Sequence, residues 1–153
     1  MTAAELAAYM GANIPLTRAL GVEVVEVSEQ RVRLAAPLAP NRNHRQTAFG
    51  GSVASLALLS GWGWLHARLA AVAPATGLVI QRQETDYLLP IDDAFEAVCS
   101  APSEVAWQRF AQALAERGRG RLELACEIRC RGQLAATFRG LYVATARERT
   151  APA

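Results

Sequence analysis

The sequence predicts an α+β domain, an antiparallel sheet of about six strands wrapped around one long central helix. Two observations lead there. Val53 to Leu65 (VASLALLSGWGWL) is the most apolar stretch of the chain, and a helix that is apolar all round has to be enclosed by other elements. Around it, six strand-like segments follow one another in hairpin-like order, with no repeat or linker to divide them.

Each element carries its own signal. Thr2 to Asn13 reads as a short amphipathic helix ended by Pro15. Val22 to Ser28 and Arg31 to Leu38 read as strands of a hairpin joined by Glu29-Gln30; in the second, Val32 and Leu34 alternate with Arg31 and Arg33, giving one buried and one solvated face. A polar loop, Asn41 to Thr47, leads through Ala48-Phe49-Gly50-Gly51 into a helix expected from near Ser52 to about Val72, closed by Pro74 and Gly77. Leu78 to Leu89, ending at Pro90, and Phe95 to Ser100 are the next strands. Ser103 is placed to cap a helix in which Trp107, Phe110, Ala111 and Leu114 recur at helical spacing and which Gly118 stops. The clearest strand is Arg121 to Arg131, where Leu122, Leu124, Cys126, Ile128 and Cys130 alternate with Arg121, Glu123, Ala125, Glu127 and Arg129. Gly132-Gln133 turns the chain into a last strand reaching about Ala146. Residues 1–146 are thus expected to form a single domain and residues 147–153 a disordered tail.

Composition narrows the function. A chain of 153 residues can build one good core but not two. All 16 basic residues are Arg, which excludes chemistry that needs a lysine amine, such as Schiff bases and P-loop phosphate binding. The net charge of +2 is too balanced for a nucleic-acid footprint or a polybasic membrane anchor. The apolar run falls short of the roughly 20 residues needed to cross a bilayer. Neither nucleic acid nor membrane is therefore an expected partner. Cys99, Cys126 and Cys130 form an odd set without CxxC spacing, and the amino terminus lacks the features of a signal peptide; the expected setting is the cytoplasm, with the cysteines packed in the core. His44 and His66 have no Cys or carboxylate at ligand spacing, so no metal is expected.

The chemistry concentrates between Asn43 and Leu56. Two glycines at a helix start let a ligand approach the backbone, where free N–H groups and the helix dipole favour a carbonyl oxygen or a developing anion. That is the chemistry of an oxyanion hole. Gly50-Gly51 would equally serve a tight turn from loop to helix. Further on, Gln81-Arg82-Gln83-Glu84-Thr85-Asp86 is polar on both faces, which is odd for a strand wrapped on a core. One of its faces is expected to line a site or a subunit contact.

Asn43, six residues before a Phe49-Gly50-Gly51 that opens a buried helix, resembles the Asn-x5-His/Phe-Gly-Gly pattern of the hot-dog-fold acyl-CoA thioesterases. Tyr87-Leu88-Leu89-Pro90 resembles the Tyr-x-x-Pro that ends the strand after the hot-dog helix, and the order of elements agrees over almost the whole chain. Thr47 to Ser52, with Ser60-Gly61-Trp62-Gly63, is similar to the thioesterase domain found fused behind an acetyltransferase domain in some bacterial proteins. This chain is too short for both folds, so acetyl transfer is not carried over. The resemblance implies the hot-dog fold and hydrolysis of acyl-CoA or acyl-carrier-protein thioesters. It implies no cofactor beyond the coenzyme A or carrier moiety of the substrate. It also implies a homodimer or dimer of dimers with sites where subunits meet.

Many such thioesterases carry an Asp or Glu nine residues after the motif's His/Phe, acting as base or nucleophile; here that residue is Leu58. Leucine cannot do this chemistry, and Ser55, about one turn earlier on the same face, is a poor nucleophile when unassisted. Arg82, Glu84 and Asp86 share one face of the polar strand. The expected site therefore has Glu84, or else Asp86, activating water, Asn43 orienting water or substrate, and the Gly50 and Gly51 amides holding the thioester oxygen. Thr47, Phe49, Ser52, Ser55 and Arg82 are the expected substrate contacts. The plainer alternative pairs Glu84 and Asp86 with Arg82 or with an arginine of a second subunit. The missing carboxylate also keeps open a non-catalytic module that binds acyl groups or acyl-CoA, ahead of a dehydratase, for which the helix offers no His and acid pair. Arg42, Arg45 and the Arg117 to Arg121 run are candidate contacts for nucleotide phosphates, and His44 is either a base or an ordinary loop residue.

Overall fold

Capping and turn residues set the element boundaries close to where the sequence places them. The computed structural model describes residues 1–146; the expected tail, residues 147–153, lies outside the described residues. Helix α1 (Ala3–Asn13) starts at a reciprocal capping box between Thr2 and Glu5. A single turn of helix, α2 (Leu16–Leu20), follows and ends at Gly21 in the left-handed region, φ 69°. Five residues are too few to show periodicity, so α2 has no counterpart among the expected elements. The hairpin β1 (Glu23–Val27) and β2 (Arg31–Ala36) leads to a 3-10 turn at Ala39–Asn41 and then to the central helix α3 (Gly50–Val72). Helix α3 begins two residues before the expected Ser52. Glycines are poor helix formers, which hides this start in the sequence, yet Phe49 takes the extended N-cap conformation (φ −64°, ψ 133°) and Gly50 and Gly51 form the first turn.

After α3 come β3 (Thr76–Tyr87), β4 (Phe95–Ser100), α4 (Glu104–Arg117), β5 (Arg119–Cys130) and β6 (Gln133–Ala146). All six strands pair antiparallel in the order β1-β2-β4-β5-β6-β3. The β5–β6 turn places Arg131 and Gly132 at φ 49° and 76°, the double positive φ of the hairpin turn whose twist suits the flanking strands. Alternation settles the faces: along β5, Leu122, Leu124, Cys126, Ile128 and Cys130 are buried while the residues between them face outward. With Val32, Leu34, Ala97, Phe138 and Tyr142 they form the inner surface that packs on α3. All three cysteines are free and buried.

Strand β3 returns from the end of α3 to the far edge of the sheet, where it pairs with β6 alone. The expected enclosure of α3 is incomplete in one protomer, because the sheet covers one side and α1 a second. Ser55 and Leu58 stay half-buried along the remaining strip, while Trp62 and His66, also half-buried, stack with Tyr9 of α1. Gly61 is needed for packing: the fully buried Tyr142 reaches past it to donate from its hydroxyl to the Leu58 carbonyl at 2.8 Å, and a Cβ on Gly61 would meet that hydroxyl. Among the described residues no helix is long and apolar enough to cross a membrane.

Candidate active site

The approach to α3 is built by two asparagines. Asn43 spends its side chain on its own loop: Oδ1 accepts from the Arg45 and Thr47 amides at 2.8 and 3.2 Å, and Nδ2 donates to Thr47 Oγ1 at 2.9 Å. The loop so stapled puts Gln46 at φ 63° and turns its basic residues outward, with Arg42, His44 and Arg45 exposed. Asn41, which sequence reasoning passed over, is 1% exposed and donates from Nδ2 to the carbonyls of Leu20 and Pro37 at 2.8 and 2.7 Å. Its own carbonyl accepts from the Phe49 amide at 2.7 Å, while Ala48 donates to the Ile91 carbonyl at 2.8 Å. Both residues before the helix are thus fixed through their backbones. The available signal for Asn41 was a polar residue directly after the Pro37 to Pro40 turn, at the start of the polar loop.

The helix start itself is left open. Helices α1 and α4 have side-chain caps from Thr2 and Ser103, whereas α3 has none. Among the described residues, no acceptor engages the amides of Gly50, Gly51 or Ser52. Three N–H groups and the positive end of a helix 23 residues long converge there. Both glycines admit rings of the chain itself: the space of a Gly50 side chain is taken by the Tyr87 ring and that of Gly51 by the ring of Phe49, itself 58% exposed. The Tyr87 hydroxyl donates to the Gly50 carbonyl at 2.7 Å. That carbonyl belongs to the same peptide unit as the Gly51 amide, so the bond polarises the N–H and makes it a stronger donor. Burial pushes the Tyr87 phenol above its ordinary value, which keeps the donating proton in place.

Beside these amides lies an open, mainly apolar groove of about 360 Å³, lined by Ala48, Val53, Tyr87, Leu88, Leu89 and Ile91 among others. The Leu88 and Leu89 amides both donate to the Ala135 carbonyl, at 2.8 and 3.0 Å, which ties the groove wall to β6.

The polar strand divides its residues between two sides of the sheet. Thr85 and Tyr87 pair in register with Phe138 and Ala136 of β6, whose side chains are buried on the inner surface, and Gln83 pairs with Gly140 between them and Tyr142. Glu84 and Asp86 pair with Arg139 and Thr137 and so lie on the outer face. There Glu84 accepts from Arg139 at 3.0 Å, both side chains more than 60% exposed, an ion pair of small energetic weight. Within the protomer the partner of Glu84 is Arg139 rather than Arg82. The structure therefore gathers Phe49, Gly50, Gly51, Ser52 and Tyr87 at the head of α3. It does not bring Glu84, Asp86 or Arg82 to them within one protomer. Ser55 and Leu58 lie further along α3, half-buried, and Thr47 is held by Asn43.

An antiparallel sheet curled around one long helix, with an uncapped glycine start opening on an apolar groove, is the hot-dog architecture of thioester-handling proteins. The family described as "Putative thioesterase (yiiD_Cterm)" matches residues 3–146, and the chain belongs to it. Thioester hydrolysis is thus the activity at the level of the family. Among solved structures, a protein of unknown function from Chlorobaculum tepidum superposes with a TM-score of 0.89 at 25% identity, over 95% of this chain and 94% of that one. A putative thioesterase from Shewanella oneidensis gives 0.79 at 26% identity, over 94% and 96%. A thioesterase from Haemophilus influenzae gives 0.76 over 99% and 96%; at 15% identity this likeness shows the fold alone.

Proposed function

We propose that the protein hydrolyses acyl thioesters of coenzyme A or an acyl carrier protein at the head of α3. The Gly50, Gly51 and Ser52 amides hold the thioester oxygen, and the acyl group lies in the groove between Val53 and Leu88. The observation that carries this reading is the set of unengaged amides at the start of a buried helix, beside an apolar groove. Donors already aimed at a developing oxyanion need no reorganisation during the reaction. Asn43 acts by holding the loop before the helix, and Arg42 and Arg45 stand exposed on that loop for a phosphate-bearing carrier.

The working unit we propose is a homodimer. Strand β3 leaves one edge unpaired along its 12 residues, and Val79, 62% exposed, lies on it. A long bare edge invites pairing with another chain, and a second copy would also cover the strip at Ser55 and Leu58.

A second reading, a binding module without turnover, draws support from Leu58 at the place of a carboxylate and from the outward position of Glu84 and Asp86. Thiol release across a panel of acyl-CoA substrates separates the two. Turnover with at least one acyl chain is expected; binding of all without release would leave only the second reading.

A further inference from the structure

Helix α3 and strand β3 run side by side in opposite directions; α3 is tied to β3 at both ends and to β6 between them. The Tyr87 hydroxyl bonds Gly50 at the helix head. The Tyr142 hydroxyl, from the neighbouring strand, bonds Leu58. At the helix tail, Thr76 Oγ1 bonds the Ala73 carbonyl at 2.7 Å. These ties set the levels of the residues between them. Thr85 lies two strand residues from Tyr87, roughly 7 Å, and Gln83 roughly 13 Å. On the helix, at 1.5 Å per residue, Ser55 stands roughly 7 Å from Gly50 and Leu58 roughly 12 Å. Thr85 is thus level with the Ser55 turn, and Gln83 lies between Thr85 and Ile80, the register partner of the Tyr142 that bonds Leu58.

Both residues belong to the inward row of β3, with Tyr87. At this edge of the sheet Thr85 is half-buried and Gln83 exposed, so the row is open to water rather than packed tightly on α3. These two are bonded to each other, Thr85 Oγ1 donating to Gln83 Oε1 at 2.8 Å. With its proton committed there, the Thr85 oxygen is left with lone pairs to accept from another donor. Across the sheet Gln83 faces Gly140, where the rings of Phe138 and Tyr142 take the side-chain space.

We propose that Thr85, oriented by Gln83, accepts a hydrogen bond from the attacking water and aims it at the thioester carbon, supplying from the strand the polar function that Leu58 cannot supply from the helix. This rests on the hydrolase reading above. The water oxygen bonds the acyl carbon, the carbon–sulfur bond breaks, and the water's proton leaves with the sulfur as the free thiol. Neither Thr85 nor Gln83 changes its protonation state. Thr85 is the catalytic residue, in contact with the reacting water, and Gln83 is a positioning residue.

The experiment compares wild-type protein with Thr85→Val, Thr85→Ser and Gln83→Leu. It measures thiol release from acyl-CoA, binding of a non-hydrolysable acyl-CoA thioether, thermal melting and sedimentation mass. The expected result is a fall in kcat of about 100-fold for Thr85→Val, a smaller fall for Gln83→Leu, and unchanged thioether affinity, melting and mass. Thr85→Ser, which keeps the hydroxyl, should retain most of the turnover. Wild-type turnover with undiminished kcat in Thr85→Val overturns the inference while leaving the hydrolase reading intact. So does a change in mass or melting that accounts for the loss. Absence of wild-type turnover overturns both.

Discussion

The two halves of α3 are treated in different ways by the fold. Its tail half is pinned by aromatic side chains, although its last residues, Ala70 to Val72, are exposed. Trp64 is 2% exposed, donates from its indole to the Glu29 carbonyl at 3.0 Å and meets Trp107 edge-on at 5.7 Å; Tyr9, Trp62 and His66 stack beside it, and the Ala73 amide closes onto Leu69. Its head is open: no cap, three unengaged amides, two glycines and a groove. A helix start without a cap forgoes about 1 kcal/mol that one side chain would supply, and α1 and α4 both take that stabilisation. The difference fits the proposed function, in which the tail holds the fold together and the head takes the ligand.

Substitutions in the two halves should therefore separate stability from activity. The largest effect is expected in the tail, where Trp64→Ala should cost about 3–5 kcal/mol in a denaturant titration while the folded fraction keeps its kcat. A comparable loss of kcat would show that the halves are not separable. At the head, Phe49→Asp places a carboxylate at the N-cap. It should raise stability by about 1 kcal/mol and lower kcat/KM by about 100-fold, because the side chain takes up the amides proposed to hold the oxyanion. A variant that is both more stable and fully active would remove these amides from the mechanism. The smallest effect belongs to Tyr87→Phe, which removes the polarising bond on the Gly50–Gly51 peptide. A fall in kcat of about 3-fold with KM unchanged is expected from bond cooperativity of this kind; a rise in KM alone would assign Tyr87 to the groove wall instead.

Much of the fold was legible in the residues. Alternation along β5, the Ser103 cap and Gly118 stop of α4, and the uniformly apolar α3 each signal locally, and the six strands and their hairpins follow. Gly50 and Gly51 were legible as a special helix start, though the start was read two residues late. The roles of Asn43 and Glu84 were less so. Their types suit water orientation and base chemistry, but what each does depends on partners far away or on the parity of one strand. Glu84 pairs with Arg139, 55 residues on, and shifting one place along β3 moves a side chain to the other face of the sheet. Asn41 went unnoticed because its partners, Leu20 and Pro37, meet it only after folding.

What the sequence determined alone was the set of elements, their order and the existence of a glycine-headed buried helix, because caps, glycines and periodicity act over a few residues. Which polar row of β3 faces α3, which ring covers each glycine and which amides stay free were decided by the tertiary structure. Those properties arise from the register between β3 and β6 and from the ties that bring Tyr87 to Gly50, contacts between residues dozens of positions apart.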